Sequence, residues 1–279
     1  MVPRTLVLGA GAALTSVFVG AVRVLEQLAR ATQTQMPQHY VGTSGGSILS
    51  LLLTLGYTSY ELEKACFELH ERVGTLLFEL DIFFTRFGGI DTQGAIADFL
   101  RDCVENKTGQ RDLTFGHLNQ FTHCTLCVSA LCLDTNEVVY MCAESHADVS
   151  VVDAVCASCA IPLVFTPVNL GGQLFVDAGV VETLAVRDDP DCLMLSVQSR
   201  NEDTKLTKLT DFIERVLSAV STVHLATKLK QIPEKRIVHF MVDAPSSERF
   251  PANIFPSRDY LKSLIAAGSD QMRAALTTN

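Results

Sequence analysis

The chain has 279 residues, is 48% hydrophobic and carries a formal net charge of −9 at pH 7. This length suits one large α/β domain with a substantial core, and so apolar a composition excludes an intrinsically disordered chain. The acidic balance, without a run of lysines or arginines, argues against nucleic acid as a partner and against attachment to anionic membranes by charge alone.

The N-terminal segment, residues 5–22, has no charged side chain, which is also typical of a signal peptide or a membrane anchor. Three glycines interrupt this segment: Gly9, Gly11 and Gly20. Its front is strand-like over residues 5–8, and a helical period that begins near Thr15 continues to about residue 31. We therefore expect a strand, a glycine loop and a helix here instead of a membrane segment.

The second predicted strand, residues 39–41, leads into Gly42-Thr43-Ser44-Gly45-Gly46, and an apolar, helix-compatible run follows. A strand, a sharp turn and a helix form the context that a G-x-S-x-G nucleophile elbow requires. The flanking glycines permit the strained turn, and the helix directs N–H groups and its positive dipole end at the serine. Ser44 is therefore the candidate nucleophile, and a packing turn of small residues is the alternative.

Strands alternate with helices along the rest of the chain, which predicts a mainly parallel central sheet with helices on both faces. The further predicted helices span residues 60–77, 92–105, 207–230 and 257–276. The further predicted strands span residues 124–132, 137–141, 173–176, 193–197 and 237–242. Ser150 caps another short helix, with Asp153 placed as in a capping box and Pro162 just beyond its end. We find no linker and no internal repeat, so we expect one domain over residues 1–279.

Two other features of the sequence admit simple interpretations. Residues 76–87 are dense in large apolar side chains, so they form either a buried packing segment or an apolar flap that meets lipid.

The nine cysteines indicate reduced thiols in a cytosolic protein. Neither C-x-x-C pair has further ligands at zinc spacing, and no acidic cluster resembles a calcium loop, so we expect no metal and no cofactor.

Asp177 is the candidate base for the serine, which needs one to act as a nucleophile. It ends the predicted strand 173–176 and precedes small residues, so it can reach an elbow on a neighbouring strand. An aspartate that bonds its own turn is the alternative. Of the seven histidines, only His224 and His239 come late enough for the Ser–acid–His order of an α/β-hydrolase, but one lies in a predicted helix and the other in a predicted strand.

These motifs follow the order found in patatin-like phospholipases. A further block that matches the family lies over residues 154–165 and reads Ala-Val-Cys-Ala-Ser-Cys-Ala-Ile-Pro-Leu-Val-Phe. The chain resembles that family over about residues 5–186, and the part after Val186 is expected to complete the sheet and the helical layer. The resemblance implies a three-layer α/β sandwich and hydrolysis of lipid acyl esters through an acyl-enzyme. It also implies a dyad of Ser44 and Asp177 without histidine.

The resemblance further implies an oxyanion hole of backbone N–H groups, contributed by the following residues: Gly9, Ala10, Gly11, Ala12 and Gly45. The chain departs from the family pattern at five places, and four of them are Ala10 for a glycine, Ala13 for a basic residue, Leu14 for a glycine, and Glu182-Thr183-Leu184-Ala185 for a segment that often contains Asn-Pro. The aspartate motif is also Asp-Ala-Gly instead of Asp-Gly-Gly. These departures keep a catalytically impaired fold that binds lipid or a protein as a second hypothesis.

The expected partners follow from the same resemblance. They are lipid acyl esters or the surface of a phospholipid membrane, and the expected location is the cytoplasm with peripheral contact to membranes. A Ser-His-Asp esterase is the third hypothesis.

Overall fold

A computed structural model of the chain describes residues 1–74, 92–162, 164–187, 189–200, 209–230, 236–243 and 256–277. The strands are β1 (Thr5–Leu8), β2 (His39–Thr43), β3 (Thr125–Cys132), β4 (Glu137–Cys142), β5 (Val168–Leu170), β6 (Gln173–Asp177), β7 (Cys192–Ser199) and β8 (Ile237–Val242). The helices are α1 (Val17–Thr32), α2 (Gly45–Thr54), α3 (Ser59–Gly74), α4 (Thr92–Thr108), α5 (Phe115–Thr122), α6 (Val151–Ser158), α7 (Leu209–Leu229) and α8 (Arg258–Thr277). Two 3-10 turns are η1 (Ala12–Ser16) and η2 (Ala178–Val180).

The strands form one mixed sheet in the order β5-β6-β3-β2-β1-β7-β8, with β4 also paired to β3. The block β3-β2-β1-β7-β8 is parallel. The pairs β3–β4, β3–β6 and β5–β6 are antiparallel. Short connections join β3 to β4 and β5 to β6, which is the arrangement of a β-hairpin. The predicted α/β class is confirmed, and the sheet is parallel in its centre and antiparallel on one side.

Alternating side chains of the central strand β1 enter cores on opposite faces of the sheet. Leu6 and Leu8 belong to the larger core, which α1, α2 and α8 cover. Val7 belongs to the smaller core, where it packs with Leu225 of α7 and with Leu184. Because β1 has layers on both faces, every one of its four residues is buried, and the run is uniformly apolar apart from its first residue.

The apolar helix α1 crosses α8 at very short range. A Cβ added to Gly20 would lie 2.0 Å from the carbonyl oxygen of Ile265, and one added to Gly268 would lie 1.9 Å from that of Val17. Only glycine allows two helices to approach this closely. The stretch Ala12–Thr32 is long and apolar enough to cross a membrane, but 67% of its most apolar window is buried inside the fold.

The structure confirms most of the predicted elements and adds two more. Ser150 Oγ accepts a 3.1 Å hydrogen bond from the N–H of Asp153, as the capping pattern predicts. The sequence analysis did not predict α5, which Thr114 caps, or the three-residue strand β5. The apolar stretch over residues 76–87 lies outside the described residues, so its two interpretations stay predictions.

Candidate active site

The topology of the sheet brings the ends of β2 and β6 together. β2 runs parallel to β3 and ends with Thr43 opposite Ser129. β6 runs antiparallel to β3 and ends with Asp177 opposite Ala130, the next residue. β4 pairs with β3 over both of these register positions, so β2 and β6 share the other edge of β3 and meet end to end. The residue after Thr43 therefore lies beside Asp177.

That residue, Ser44, occupies a strained turn. Its backbone angles are φ 55° and ψ −131°, a region that side chains with a Cβ rarely adopt. Added Cβ atoms would lie 2.4 Å from the Cα of Ser47 at Gly42, and 2.3 Å from the carbonyl oxygen of Leu8 at Gly46. The two glycines therefore let α2 fold back against β1 and β2, and this packing holds the serine at the bend.

The side chains of Ser44 and Asp177 share a short hydrogen bond. The Ser44 hydroxyl donates to Asp177 Oδ2 at 2.6 Å, and the Gly179 N–H donates to Asp177 Oδ1 at 2.7 Å. Both side chains are buried, with 3% exposure each. Burial raises the pKa of Asp177 to about 7, although the hydrogen bonds from Ser44 and Gly179 act in the opposite direction. The arrangement can move a proton between the hydroxyl and the carboxylate.

Several hydroxyl groups that the sequence analysis did not single out hold this turn in place. The Ser44 N–H donates to Ser158 Oγ at 2.8 Å, and Ser47 Oγ donates to the Ser44 carbonyl at 2.6 Å. The hydroxyls of Thr43 and Ser129 lie 2.7 Å apart. Ser158 lies inside the family-like block over residues 154–165. That block was therefore the sequence feature that could have indicated a role for Ser158.

The glycine loop after β1 divides into two parts. The N–H of Gly9 donates to the carbonyl of Leu195 at 2.9 Å, and that of Ala10 donates to the carbonyl of Thr183 at 2.7 Å. These two amides join the loop to its neighbours and are occupied. The predicted set of five oxyanion donors therefore contains two amides that already donate to carbonyl groups, and three others.

Those three are Gly11, Ala12 and Gly45, whose N–H groups donate to no acceptor within the described part of the chain. Ala12 has a positive φ of 46°, and its carbonyl accepts a 2.7 Å hydrogen bond from Thr15 Oγ1. A Cβ added to Gly45 would lie 2.8 Å from that same Ala12 carbonyl, so the loop and the start of α2 are in contact. Ala12 and Gly45 line the same cavity as Ser44.

The cavity at Ser44 has a volume of about 80 Å³ and is largely apolar. Its wall comes from η1, α2, α3, α4 and the segment after α6, and its larger side chains are Ile48, Leu49, Leu69, His70, Ile96, Ile161 and Phe165. It is smaller than the ~300–1,000 Å³ of pockets that enclose drug-sized ligands.

The two late histidines bond elsewhere. His239 Nδ1 lies 2.5 Å from Ser196 Oγ, and His224 Nε2 lies 3.6 Å from Glu182 Oε2. The Ser44 hydroxyl itself donates to Asp177. The geometry therefore does not bring His224 or His239 to the serine, and His70 is the histidine that borders the cavity.

Residues 182–185, which stand where the family often has Asn-Pro, include a buried carboxylate. Glu182 is 2% exposed and binds the Tyr140 hydroxyl and the Lys228 ammonium group. Its N–H donates to the Ala178 carbonyl at 2.7 Å. These contacts join the turn that follows Asp177 to β4 and α7. Among the described residues, no group of three or more His, Cys, Asp or Glu could hold a metal ion.

Comparisons with known proteins identify the family of the chain. The family model described as patatin-like phospholipase matches residues 6–188. The probable lipid hydrolase 463L of Invertebrate iridescent virus 6 is 26% identical over 220 residues, which are 78% of this chain and 71% of the viral protein.

Two solved structures share the fold. VipD from Legionella pneumophila is 13% identical with a TM-score of 0.60, and the match covers 99% of this chain and 67% of VipD. The type III effector ExoU of Pseudomonas aeruginosa is 14% identical with a TM-score of 0.57, and this chain spans 53% of it.

Proposed function

Because the chain belongs to the patatin-like phospholipase family, we propose that it is a lipid acyl hydrolase whose nucleophile is Ser44 and whose base is Asp177. The observation that carries this proposal is the 2.6 Å hydrogen bond from Ser44 Oγ to Asp177 Oδ2. It joins a hydroxyl at a nucleophile elbow to a buried carboxylate, beside an apolar cavity. A nucleophile within hydrogen-bond reach of its base is the geometry that such catalysis requires.

The proposed reaction has two halves. Asp177 takes the proton of Ser44 Oγ while that oxygen attacks the ester carbonyl, and the tetrahedral intermediate then expels the alcohol, which receives the proton from Asp177. Asp177 next removes a proton from a water molecule that attacks the acyl-enzyme, and the fatty acid leaves as Ser44 recovers its proton. Burial keeps the pKa of Asp177 at about 7, which makes it a stronger base than an exposed carboxylate.

The oxyanion of the intermediate is assigned to the N–H groups of Ala12 and Gly45, with Gly11 as a further donor. They are preorganised by the η1 turn and by the start of α2, and they have no protein acceptor among the described residues. The amides of Gly9 and Ala10 support the loop through their bonds to carbonyls. Removing one oxyanion donor typically costs about 2.7–4 kcal/mol of transition-state stabilisation.

The proposed substrate class is an acyl ester with an apolar chain. The cavity wall is almost entirely apolar, which favours an acyl chain over a charged group next to the serine. The viral relative is also named a probable lipid hydrolase. The alternative function is a catalytically impaired fold that binds lipid or a protein. The observation that favours it is that two N–H groups of the glycine loop donate to carbonyl groups, so they cannot bind an oxyanion.

The experiment that tests the proposal is ester hydrolysis on a panel of phospholipids and acylglycerols of increasing chain length, with Ser44→Ala as the blank. We expect turnover by the unmodified protein and none by the variant. Equal release of fatty acid by both proteins would show that the serine is not the nucleophile. Binding of the lipids without turnover by either protein would favour the impaired binding module.

A further inference from the structure

Two cysteines lie directly opposite each other on the sheet. In the β3–β4 ladder Cys127 pairs with Cys142. Residues in direct antiparallel register have Cα atoms about 4.5–5.5 Å apart, which lies within the roughly 4.4–6.8 Å that a disulfide spans. Both residues are free thiols. The backbone therefore already has the separation that a bond between them needs.

The surroundings of the two sulfur atoms differ. Cys127 is 8% exposed and packs in the smaller core, with Arg187 Nη2 at 3.5 Å from its Sγ. Cys142 is half-buried, and its Sγ lies 3.3 Å from Ser145 Oγ. One sulfur is therefore accessible to a small reagent, and the other is held behind it beside a guanidinium group.

The proton of this pair belongs on the buried sulfur. The adjacent Cys127 thiol is the largest cause that lowers the pKa of Cys142, and Ser145 acts in the same direction, whereas burial and Glu144 oppose them. The same contact and burial raise the pKa of Cys127. The direction of the two shifts favours the thiolate, which is the reactive form of cysteine, on Cys142. Burial raises the pKa of the half-buried Cys124.

We propose that Cys142 and Cys127 form an oxidisable dithiol site, in which a hydroperoxide converts the two side chains into a disulfide. Cys142 is the residue that meets the oxidant, and Cys127 is the resolving thiol. Their opposed register and the one-sided access carry the proposal.

The chemistry proceeds in two balanced steps. The Cys142 thiolate attacks one oxygen of hydrogen peroxide, the O–O bond breaks, and hydroxide leaves while the sulfur becomes a sulfenic acid. Sulfur loses two electrons and the peroxide gains them. Cys127 then attacks the sulfenic sulfur, the S–S bond forms, and the S–O bond breaks, with the oxygen leaving as water that carries the Cys127 proton. A dithiol reductant reverses the change by thiol–disulfide exchange.

This site is separate from the proposed acyl hydrolase. Side chains alternate along β3, so Cys127 points into the smaller core, whereas Ala130, the partner of Asp177, belongs to the larger one. The proposal uses none of the residues assigned to ester hydrolysis. We therefore expect Ser44→Ala to be oxidised as the unmodified protein is, so failure of one proposal leaves the other standing.

The test is peptide mapping of the reduced, full-length protein after exposure to hydrogen peroxide at pH 7 and alkylation of the remaining thiols. We expect a peptide pair linked through Cys127 and Cys142 as the main product, and its loss after reduction. Cys142→Ser should abolish the linked peptide, and Cys127→Ser should leave a sulfenic acid on Cys142 that dimedone traps. Cys124→Ser, which removes a half-buried thiol next to the same strand, is the matched control and should form the bond at the unmodified rate.

Two results would overturn the proposal. One is alkylation of Cys142 at pH 7 no faster than that of Cys124. The other is oxidation of Cys142 to sulfinic acid in the unmodified protein while Cys127 stays a thiol. Both are measured on the unmodified chain, so they decide the question even where a serine variant fails to fold.

Discussion

Ser44 and Asp177 are 133 positions apart in the chain, yet their side-chain oxygens lie 2.6 Å apart. The pairing of β2 and β6 with consecutive residues of β3 produces this contact. Because two strands end head to head at one edge, neither side chain depends on a mobile loop for its position. A rigid sheet thus supplies the alignment that a proton transfer between the two groups requires.

The activity should depend on pH through Asp177. In the proposed mechanism the carboxylate is the active form of the base, and burial raises its pKa to about 7. We expect kcat/KM to increase tenfold per pH unit below this value and to level off above it. Rates on a soluble ester between pH 5 and 9 measure the profile. A rate that is already constant at pH 5 would contradict this protonation state of the base.

The same carboxylate should cost stability. Its folded pKa of about 7 lies above the value of about 3.9 in an unfolded chain. Between these values the folded protein holds a proton that the unfolded chain has released, so the free energy of unfolding falls as pH rises. At about 1.36 kcal/mol per pKa unit, the cost is on the order of 4 kcal/mol above pH 7 and absent below pH 4.

Asp177→Asn removes this cost. We expect the variant to be more stable than the unmodified protein by a larger margin at pH 8 than at pH 4. Urea unfolding of both proteins at both pH values measures this difference. Asp270→Asn, at an exposed position, is the control for the loss of a carboxylate. A gain of the same size at both pH values would show that the native carboxyl group is not destabilised by burial.

Gly46 should be indispensable to the elbow. A Cβ at this position would overlap the Leu8 carbonyl at 2.3 Å, and backbone cannot move aside as a flexible side chain can. We expect Gly46→Ala to lower the free energy of unfolding by roughly 1–3 kcal/mol and to reduce esterase activity. Gly94→Ala is the matched control, since nothing lies within 4 Å of its Cβ position. Because alanine restricts the unfolded chain, this control should stabilise the protein by about 0.5 kcal/mol.

Glu182 and Lys228 should respond unequally to substitution. The glutamate is 2% exposed and the lysine 34%, so the lysine can reach water when its partner is lost and the carboxylate cannot. We expect Lys228→Met to cost roughly 3 kcal/mol, the lower end for breaking a buried pair, and Glu182→Gln to cost less. In the double variant the cost should fall towards that of Glu182→Gln alone. Additive losses in denaturant unfolding would show that the two groups are not coupled.

If a histidine were the base of Ser44, its substitution would abolish turnover. His70 borders the cavity, so His70→Asn is the most stringent test of the Ser-His-Asp alternative. We expect at most a change in KM, with kcat kept within a few-fold. A loss of kcat by a factor of about 10³ or more, typical of a removed general base, would transfer that role from Asp177 to the histidine.

The sequence could single out Ser44 and Asp177 as candidates because each lies in a local pattern. Ser44 follows a strand and precedes an apolar helix, and Asp177 ends a strand before small residues. The contact from Ser44 to Ser158 spans 114 positions and has no local signature. The occupancy of the Gly9 and Ala10 amides was equally unpredictable, because their acceptors are carbonyls of distant segments.

Labelling with a fluorophosphonate probe, followed by peptide mapping, tests the central claim most directly. We predict covalent modification of Ser44 in the unmodified protein, and labelling slower by a factor of roughly 10²–10⁴ in Asp177→Asn, because the hydroxyl then lacks its base. Absence of label on Ser44, or labelling of the Asp177→Asn protein at the unmodified rate, would contradict the two-residue mechanism.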